Sequence, residues 1–332
     1  MKMIKKLALV IALVVLAVAL YSCRDTTLTM DDFGNDGYIL QDGRKLFPEH
    51  IMKIGDFDVT FQEYRYRYLN TKLDYDGGSN TVWEKYPEYI DILKKTVDDS
   101  LIEIYSIRSL CKEAGIESDL NEIGAMLEEY KDGMKSSDFK KGLKSHYLTE
   151  SLYAYVLEGY QLYDKLFDAY FGKDGTMAMS DDEVLEYAQE YYLHTKHILI
   201  YPNTTMSESD YESRLNEALS KAQSTADFDA LIKELSDDET MAECGCYFKE
   251  GEKGENYELA AKALEEGEIS DLVKGSEGWY IIKRLPVDEK DVSVLRDLIY
   301  NRKYADLIES RIETIAVEYY DDYELITPDT VK

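Results

Sequence analysis

Apolar residues recur at steps of three and four over much of the chain. Leu93, Val97, Leu101, Ile104, Ile107, Cys111 and Ala114 line one face of a predicted helix, with Gly115 where a helix stop is expected. Asp119 and Glu122 reopen a helix whose face carries Leu120, Ile123, Leu127 and Tyr130. A longer helical stretch is expected from about Phe139 to Phe171, broken by Gly172 to Gly175. Ser180 with Glu183 caps a further helix ending near Tyr192. Upstream, Ile51 to Val59 predicts a short strand with a Gly55-Asp56 turn, and Thr60 with Glu63 has capping-box spacing. The pattern changes at His194. Lys196 to Tyr201 reads as a strand, Ser207 to about Gln223 and Phe228 to Leu235 as helices, and Trp279 to Leu285 as a closing strand. Strands interleaved with helices predict a small α/β domain here. After Pro286, Val294, Leu298, Ile299, Tyr304, Ile308, Ile312 and Ile315 mark a last helix, expected to pack back onto the helices before residue 194.

The first 23 residues set the address. Lys2, Lys5 and Lys6 precede the uncharged run Leu7 to Tyr21, which is shorter than the roughly 20 apolar residues of a spanning helix. A charged start, a short apolar run and a small residue before the cut form a secretory signal. Leu20, Ser22 and Cys23 resemble a bacterial lipobox, which implies an acylated Cys23 as the new N-terminus and attachment to the outer face of the bacterial cell membrane. Residues 24 to about 50 show little periodicity and read as a tether.

Composition narrows the function classes. The chain has 332 residues and a formal charge of −29, from 67 Asp and Glu against 38 Lys and Arg. That balance argues against nucleic-acid binding, which needs a basic footprint. Loss of residues 1–22 removes three lysines and takes the charge to −32. Such a body is repelled by anionic headgroups, so attachment is expected to come from lipid on Cys23. Beyond Cys23, the cysteines Cys111, Cys244 and Cys246 do not form a disulfide framework. Cys111 reads as a core residue. Cys244-Gly245-Cys246 reads as two free thiols, or else as a redox pair strained by its one-residue spacing.

Residues 194–285 resemble a parvulin-type peptidyl-prolyl isomerase. The matching stretches are Lys196 to Ile200, Phe228 to Leu231, Leu235 to Asp238, Gly245, Glu258 to Leu264 with Gly267 to Ser270, and Val273-Lys274 through Gly278 to Lys283. The front part is similar to the helical chaperone domain of the PrsA/SurA foldases, through Ile54-Gly55-Asp56 with Val59-Thr60 and Glu63, and through Ala114-Gly115-Ile116. The resemblance implies an α+β chain: a signal peptide at 1–22, a lipidated Cys and tether at 23–50, and a helical chaperone domain at 51–193. A parvulin-type domain follows at 194–287, and 288–332 returns to complete the helical domain.

The resemblance also implies site residues. His197 matches the first of two facing histidines and Asp238 the Asp/Cys position, while Tyr280 stands where the second histidine is expected. A hydroxyl can donate and accept, so a rewired His197–Tyr280 pair is one expectation. Counting back from Ala263-Leu264 puts Tyr257, Lys253 and Tyr247 at the Phe, Met and Leu positions of the proline socket. A lysine there must snorkel out or be desolvated. Two readings stand: a modified isomerase centre, and a non-catalytic holdase whose parvulin domain only binds polypeptide. Neither calls for a cofactor. His194 and His197, three apart on a strand, point to opposite faces, which argues against a metal. The expected partners are unfolded or nascent exported polypeptides, Pro-containing segments and the membrane through the lipid anchor; a homodimer is left open. Tyr147, Tyr153, Tyr155, Tyr160, Tyr163 and Tyr170 read either as core rim or as a binding cradle.

Overall fold

The computed structural model describes residues 33–34, 36–202, 205–224, 227–243 and 245–332; the leader, Cys23 and Cys244 lie outside them. The first folded piece is a hairpin of β1 (Ile39–Gln41) and β2 (Arg44–Leu46). It falls inside the stretch read as tether. Ile39 is fully buried and bridges Val331, and Tyr38 and Lys332 exchange backbone hydrogen bonds of 3.0 and 2.9 Å. The anchoring partners lie some 290 residues downstream, beyond the reach of any local pattern.

The expected single strand is a second hairpin, β3 (His50–Ile54) with β4 (Phe57–Thr60), turning at Gly55, whose φ of +57° suits glycine. Helix α1 (Phe61–Asp76) begins at Thr60, whose side chain accepts from the Glu63 N–H. The return half of the capping box is missing. The Glu63 carboxylate instead accepts from the Tyr105 hydroxyl at 2.7 Å and from Arg67. After α2 (Thr81–Lys85) comes α3 (Tyr89–Ala114), 26 residues long, stopped by Gly115 at φ +68°. Its Leu93, Val97, Leu101 and Cys111 are buried as the spacing demands; Ala114 is exposed.

Helix α4 (Leu120–Lys131) is capped by Asp119, and its apolar face buries Ile123 and Leu127 while Leu120 and Tyr130 face solvent. The long helix expected over Phe139 to Phe171 is two helices, α5 (Ser136–Ser145) and α6 (Glu150–Phe171). Tyr147 between them adopts φ +61°, and Thr149 caps α6 by accepting from the Leu152 N–H. The apolar period runs through this break, which is why periodicity alone missed it. The tyrosines divide. Tyr147 and Tyr160 are exposed, whereas Tyr155 bonds Tyr105 and Tyr163 packs edge-on to Tyr304. Helix α7 (Asp181–Tyr191) carries a complete Ser180/Glu183 capping box.

The second sheet has the order β6-β5-β8-β7 and is antiparallel throughout: β5 (Leu193–Ile200), β6 (Cys246–Phe248), β7 (Val273–Lys274) and β8 (Trp279–Leu285). Helices α8 (Glu208–Ser224) and α9 (Phe228–Leu235) cover one face, and α10 (Glu255–Ala263) covers the other. Helix α11 (Val292–Thr314) buries Leu295, Ile299, Tyr304 and Ile308 in one cluster with Ile107 and Cys111 of α3, Leu162 of α6 and Val184 of α7. Each such side chain contributes about 1.5–3 kcal/mol of apolar burial. The chain ends by adding β9 (Val317–Tyr319) to the first sheet, beside β3. The architecture is mixed α+β, mostly helical, with two separate antiparallel sheets and the small hairpin.

Candidate active site

Strand β5 is buried on both faces, so side-chain alternation decides which layer each residue meets. Ile198 and Ile200 pack under α8 and α9. Thr195, His197 and Leu199 point the other way, toward α10. Gly245 shapes the crossing beside β5: its φ is +73°, and a Cβ there would sit 2.5 Å from the Thr195 carbonyl oxygen. Lys196 ties the same region down, its ammonium 2.7 Å from Asp229 and 3.0 Å from the Ala242 carbonyl.

The His197 imidazole is 4% exposed. Its Nδ1 lies 3.0 Å from the Tyr257 hydroxyl, which lies 2.9 Å from the Thr195 hydroxyl. The Thr195 oxygen is in turn 3.5 Å from the Cys246 sulfur. Burial pushes the imidazole pKa down to about 4; the Asp238 carboxylate opposes this and the Lys253 ammonium adds to it. The ring is therefore neutral near pH 7. Because Nε2 faces the Asp238 carboxylate, the proton is assigned to Nε2, and Tyr257 then donates to Nδ1 and Thr195 to Tyr257. Nε2 faces Asp238 Oδ2 at 3.5 Å, a contact of the neutral ring with a carboxylate that does not close as a hydrogen bond.

Asp238 is fixed from its own side. It accepts from the Thr240 N–H at 3.1 Å and the Thr240 hydroxyl at 2.5 Å, at the start of a short 3₁₀ turn. Tyr280, on β8, places its ring edge-on to His197 with centroids 5.1 Å apart and edge-on to Tyr257 at 5.2 Å. Its hydroxyl donates to Glu277 at 3.0 Å. The rewiring expected between His197 and Tyr280 thus runs through Tyr257, and Tyr280 supplies a wall. Burial raises the pKa of both phenols, so both stay protonated.

Lys253 is half-exposed at the rim, its ammonium 5.9 Å from the centre of the Tyr257 ring. Its backbone N–H and that of Gly251 both donate to one oxygen of Glu258, at 2.9 and 2.8 Å. Burial opposes the Glu258 charge, yet these backbone bonds hold its carboxyl below the usual range. The turn carrying Lys253 is thereby pinned.

Tyr247 does not join the socket. It sits opposite His194 on β6, stacks on that ring at 3.9 Å and donates to Asp291 at 2.8 Å. Its neighbours Cys246 and Phe248 face the site instead, and Phe248 lies 5.7 Å edge-on from Tyr257. The ungapped count across a shortened turn placed Tyr247 one strand position off, and a slip of one reverses the face. Thr195 and Cys246 are the members that sequence reasoning missed. Alternation from His197 singles out Thr195, two residues before it on the same face. Cys111 is remote and buried, its thiol pushed up to about 11 by burial.

Residues 197–285 match the sequence profile of the PPIC-type PPIase domain, a rotamase. The chaperone SurA of Methylococcus capsulatus is 29% identical over 123 residues, covering 36% of this chain and 27% of that protein. SurA of Xylella fastidiosa strain Temecula1 is 26% identical over 165 residues, covering 47% and 35%. This chain therefore spans about a quarter to a third of the curated relatives it matches. The peptidylprolyl isomerase PrsA of Bacillus cereus, a solved structure, covers 70% of this chain and 84% of its own at 21% identity, with a TM-score of 0.35.

Proposed function

With residues 197–285 belonging to the PPIC-type isomerase domains, we propose that the chain is an extracytoplasmic foldase that binds unfolded exported polypeptides and speeds rotation about their X–Pro bonds. That rotation must break amide resonance, a barrier of about 18–20 kcal/mol, and needs no covalent step. The planar imide is more dipolar than the twisted one. A surround of neutral imidazole and the rings of Tyr257, Tyr280 and Phe248 disfavours the planar form. The Nε2–H of His197 and the fixed Asp238 carboxylate offer one donor and one negative charge at the imide. The carrying observation is the buried, neutral His197 held between the Tyr257 hydroxyl and Asp238. Around this unit, 51–193 and 288–332 make the chain-holding body; the packing of α11 among α3, α6 and α7 supports that division.

A prolyl-peptide isomerisation assay on the full chain tests the catalytic claim, with turnover expected and lost in His197→Ala. A rate equal to buffer leaves the holdase reading, which the turn of the Tyr280 hydroxyl toward Glu277 favours. Suppression of client aggregation by the same preparation tests the holding role separately.

Cys23 is read as the lipidated anchor, and no helix among the described residues is long and apolar enough to cross a membrane. Labelled fatty acid should enter the wild-type chain and not Cys23→Ser. Incorporation into both would remove Cys23 from this role.

A further inference from the structure

One surface departs from the acidity of the rest. Residues 131–146, the α4–α5 turn and α5, hold five lysines against two aspartates in a chain of charge −29. Lys131 is paired with Glu128 and Glu150. Lys135, Lys140, Lys141 and Lys144 are exposed and have no carboxylate partner among the described residues. On α5 the buried residues are Phe139 and Leu143, and Lys140, Lys141 and Lys144 lie off that face. Beside the lysines stand exposed apolar side chains: Met134, Tyr130 and Tyr147 are 56, 48 and 37% exposed. Next to them an open cavity of about 290 Å³ is lined by Tyr130, Met134, Phe139, Leu143, Leu148 and Tyr153. Unpaired lysines mixed with tyrosine and methionine match the chemistry of a bilayer interface.

The path of the chain selects this occupant. Phe33, at the start of the described residues, is docked at this lobe. Its carbonyl accepts from the Thr149 hydroxyl at 3.2 Å and its ring lies 5.0 Å from Tyr155. The Tyr147 ring beside Thr149 carries the Arg65 guanidinium. From Cys23 to Phe33 the chain reaches at most about 35 Å fully extended. A lipid on Cys23 therefore holds Phe33, and with it the start of α6 directly after α5, within about 35 Å of the headgroups. We propose that the α4–α5 turn and the lysine face of α5 form a docking surface for an anionic lipid bilayer, which orients the body on the membrane. This rests on the extracytoplasmic, Cys23-anchored reading above, and concerns a surface remote in sequence from the isomerase residues.

The test uses the full chain bound to vesicles of phosphatidylcholine alone and of phosphatidylcholine with about one-third phosphatidylglycerol. Lysines are acylated with a water-soluble reagent and read by mass spectrometry. The leader and any lipid attach the chain to both vesicles, so the difference isolates the lobe. The expected result is several-fold protection of Lys135, Lys140, Lys141 and Lys144 on the anionic vesicles only. Lys290, 73% exposed, should label equally on both. Protection should vanish at 1 M salt, where the screening length falls from about 10 Å at 0.1 M to about 3 Å. Equal labelling on the two compositions overturns the proposal. Protection without vesicles, by a soluble poly-glutamate peptide or by raising protein concentration, also overturns it and assigns the surface to an acidic polypeptide or a second copy. Isomerase and aggregation assays in solution contain no bilayer, so failure of the foldase reading shows there and failure of the docking surface shows here.

Discussion

The hydroxyl of Tyr257 stands 3.0 Å from Nδ1 of His197, from a residue sixty positions downstream on the helix that covers that face of the sheet. With the proton of the buried, neutral imidazole on Nε2 toward Asp238, this hydroxyl is the donor to Nδ1. Tyr257→Phe keeps the ring and deletes the bond. A neutral hydrogen bond is worth about 0.5–1.5 kcal/mol, so kcat/KM for a prolyl peptide should fall roughly two- to tenfold. Because the hydroxyl favours the neutral ring, its loss should also raise the His197 pKa, read by NMR titration. An unchanged titration with unchanged turnover would show the bond to be incidental.

His197 links pH to stability. Its pKa falls from an ordinary 6.5 to about 4 on folding, so between these values the unfolded chain binds a proton that the native chain refuses. Its contribution is complete above about pH 6.5 and is lost as pH drops through the window toward 4. At about 1.4 kcal/mol per unit the full effect is on the order of 3 kcal/mol. Denaturant midpoints at pH 7 and pH 4.5 should converge for His197→Gln relative to wild type. Parallel curves would sink this assignment.

On the proposed isomerase reading, Lys253 stands 5.9 Å from the centre of the Tyr257 ring, where an apolar residue would suit a proline ring better. Lys253→Met removes a charge that holds the His197 pKa down, so that pKa should rise. Turnover of peptides with apolar flanks should increase a few-fold as the rim loses a desolvation cost, on the order of 1 kcal/mol. A steady-state comparison of the two proteins decides it, and slower turnover in the variant would argue that Lys253 contacts the substrate.

Asp98 accepts from the hydroxyls of Tyr64 at 3.1 Å, Tyr319 at 3.1 Å and Tyr323, so one carboxylate joins α1, α3 and the C-terminal segment. Asp98→Ala strands the buried Tyr64 and Tyr323 hydroxyls and should cost about 2–4 kcal/mol in chemical denaturation. Asp98→Asn keeps an acceptor oxygen and should cost less. Equal losses would mean that charge matters more than the acceptor geometry.

The helical periods and caps were legible in the chain: α3 with its glycine stop, α7 with its capping box, and, within 193–285, the first strand, the two helices after it and the closing strand follow from spacing and local chemistry, whereas β6, α10 and β7 were not assigned. Where sequence reasoning failed, the deciding contact was not local. The break at Tyr147 leaves the apolar period intact, and its positive φ leaves no mark in composition. The face of Tyr247 depended on a turn whose length could not be counted against a template. The His197–Tyr257 bond joins elements that become neighbours only once the sheet closes. The overall charge misled in another way, since a net charge of −29 hides the unpaired lysines gathered on α5 and the turn before it.

The first sheet sets a clock on the molecule. Strand β3 lies between β4, its immediate successor, and β9, whose Val317 pairs with Ile54 only after the whole 193–285 stretch has been made. The β6-β5-β8-β7 sheet has no such debt, since all its strands fall within 193–285. A chain made N-terminus first can therefore complete that sheet while the β4-β3-β9 sheet is still open. The hairpin before β3 waits in the same way, since Tyr38 gains its backbone partner Lys332 only some 290 residues later.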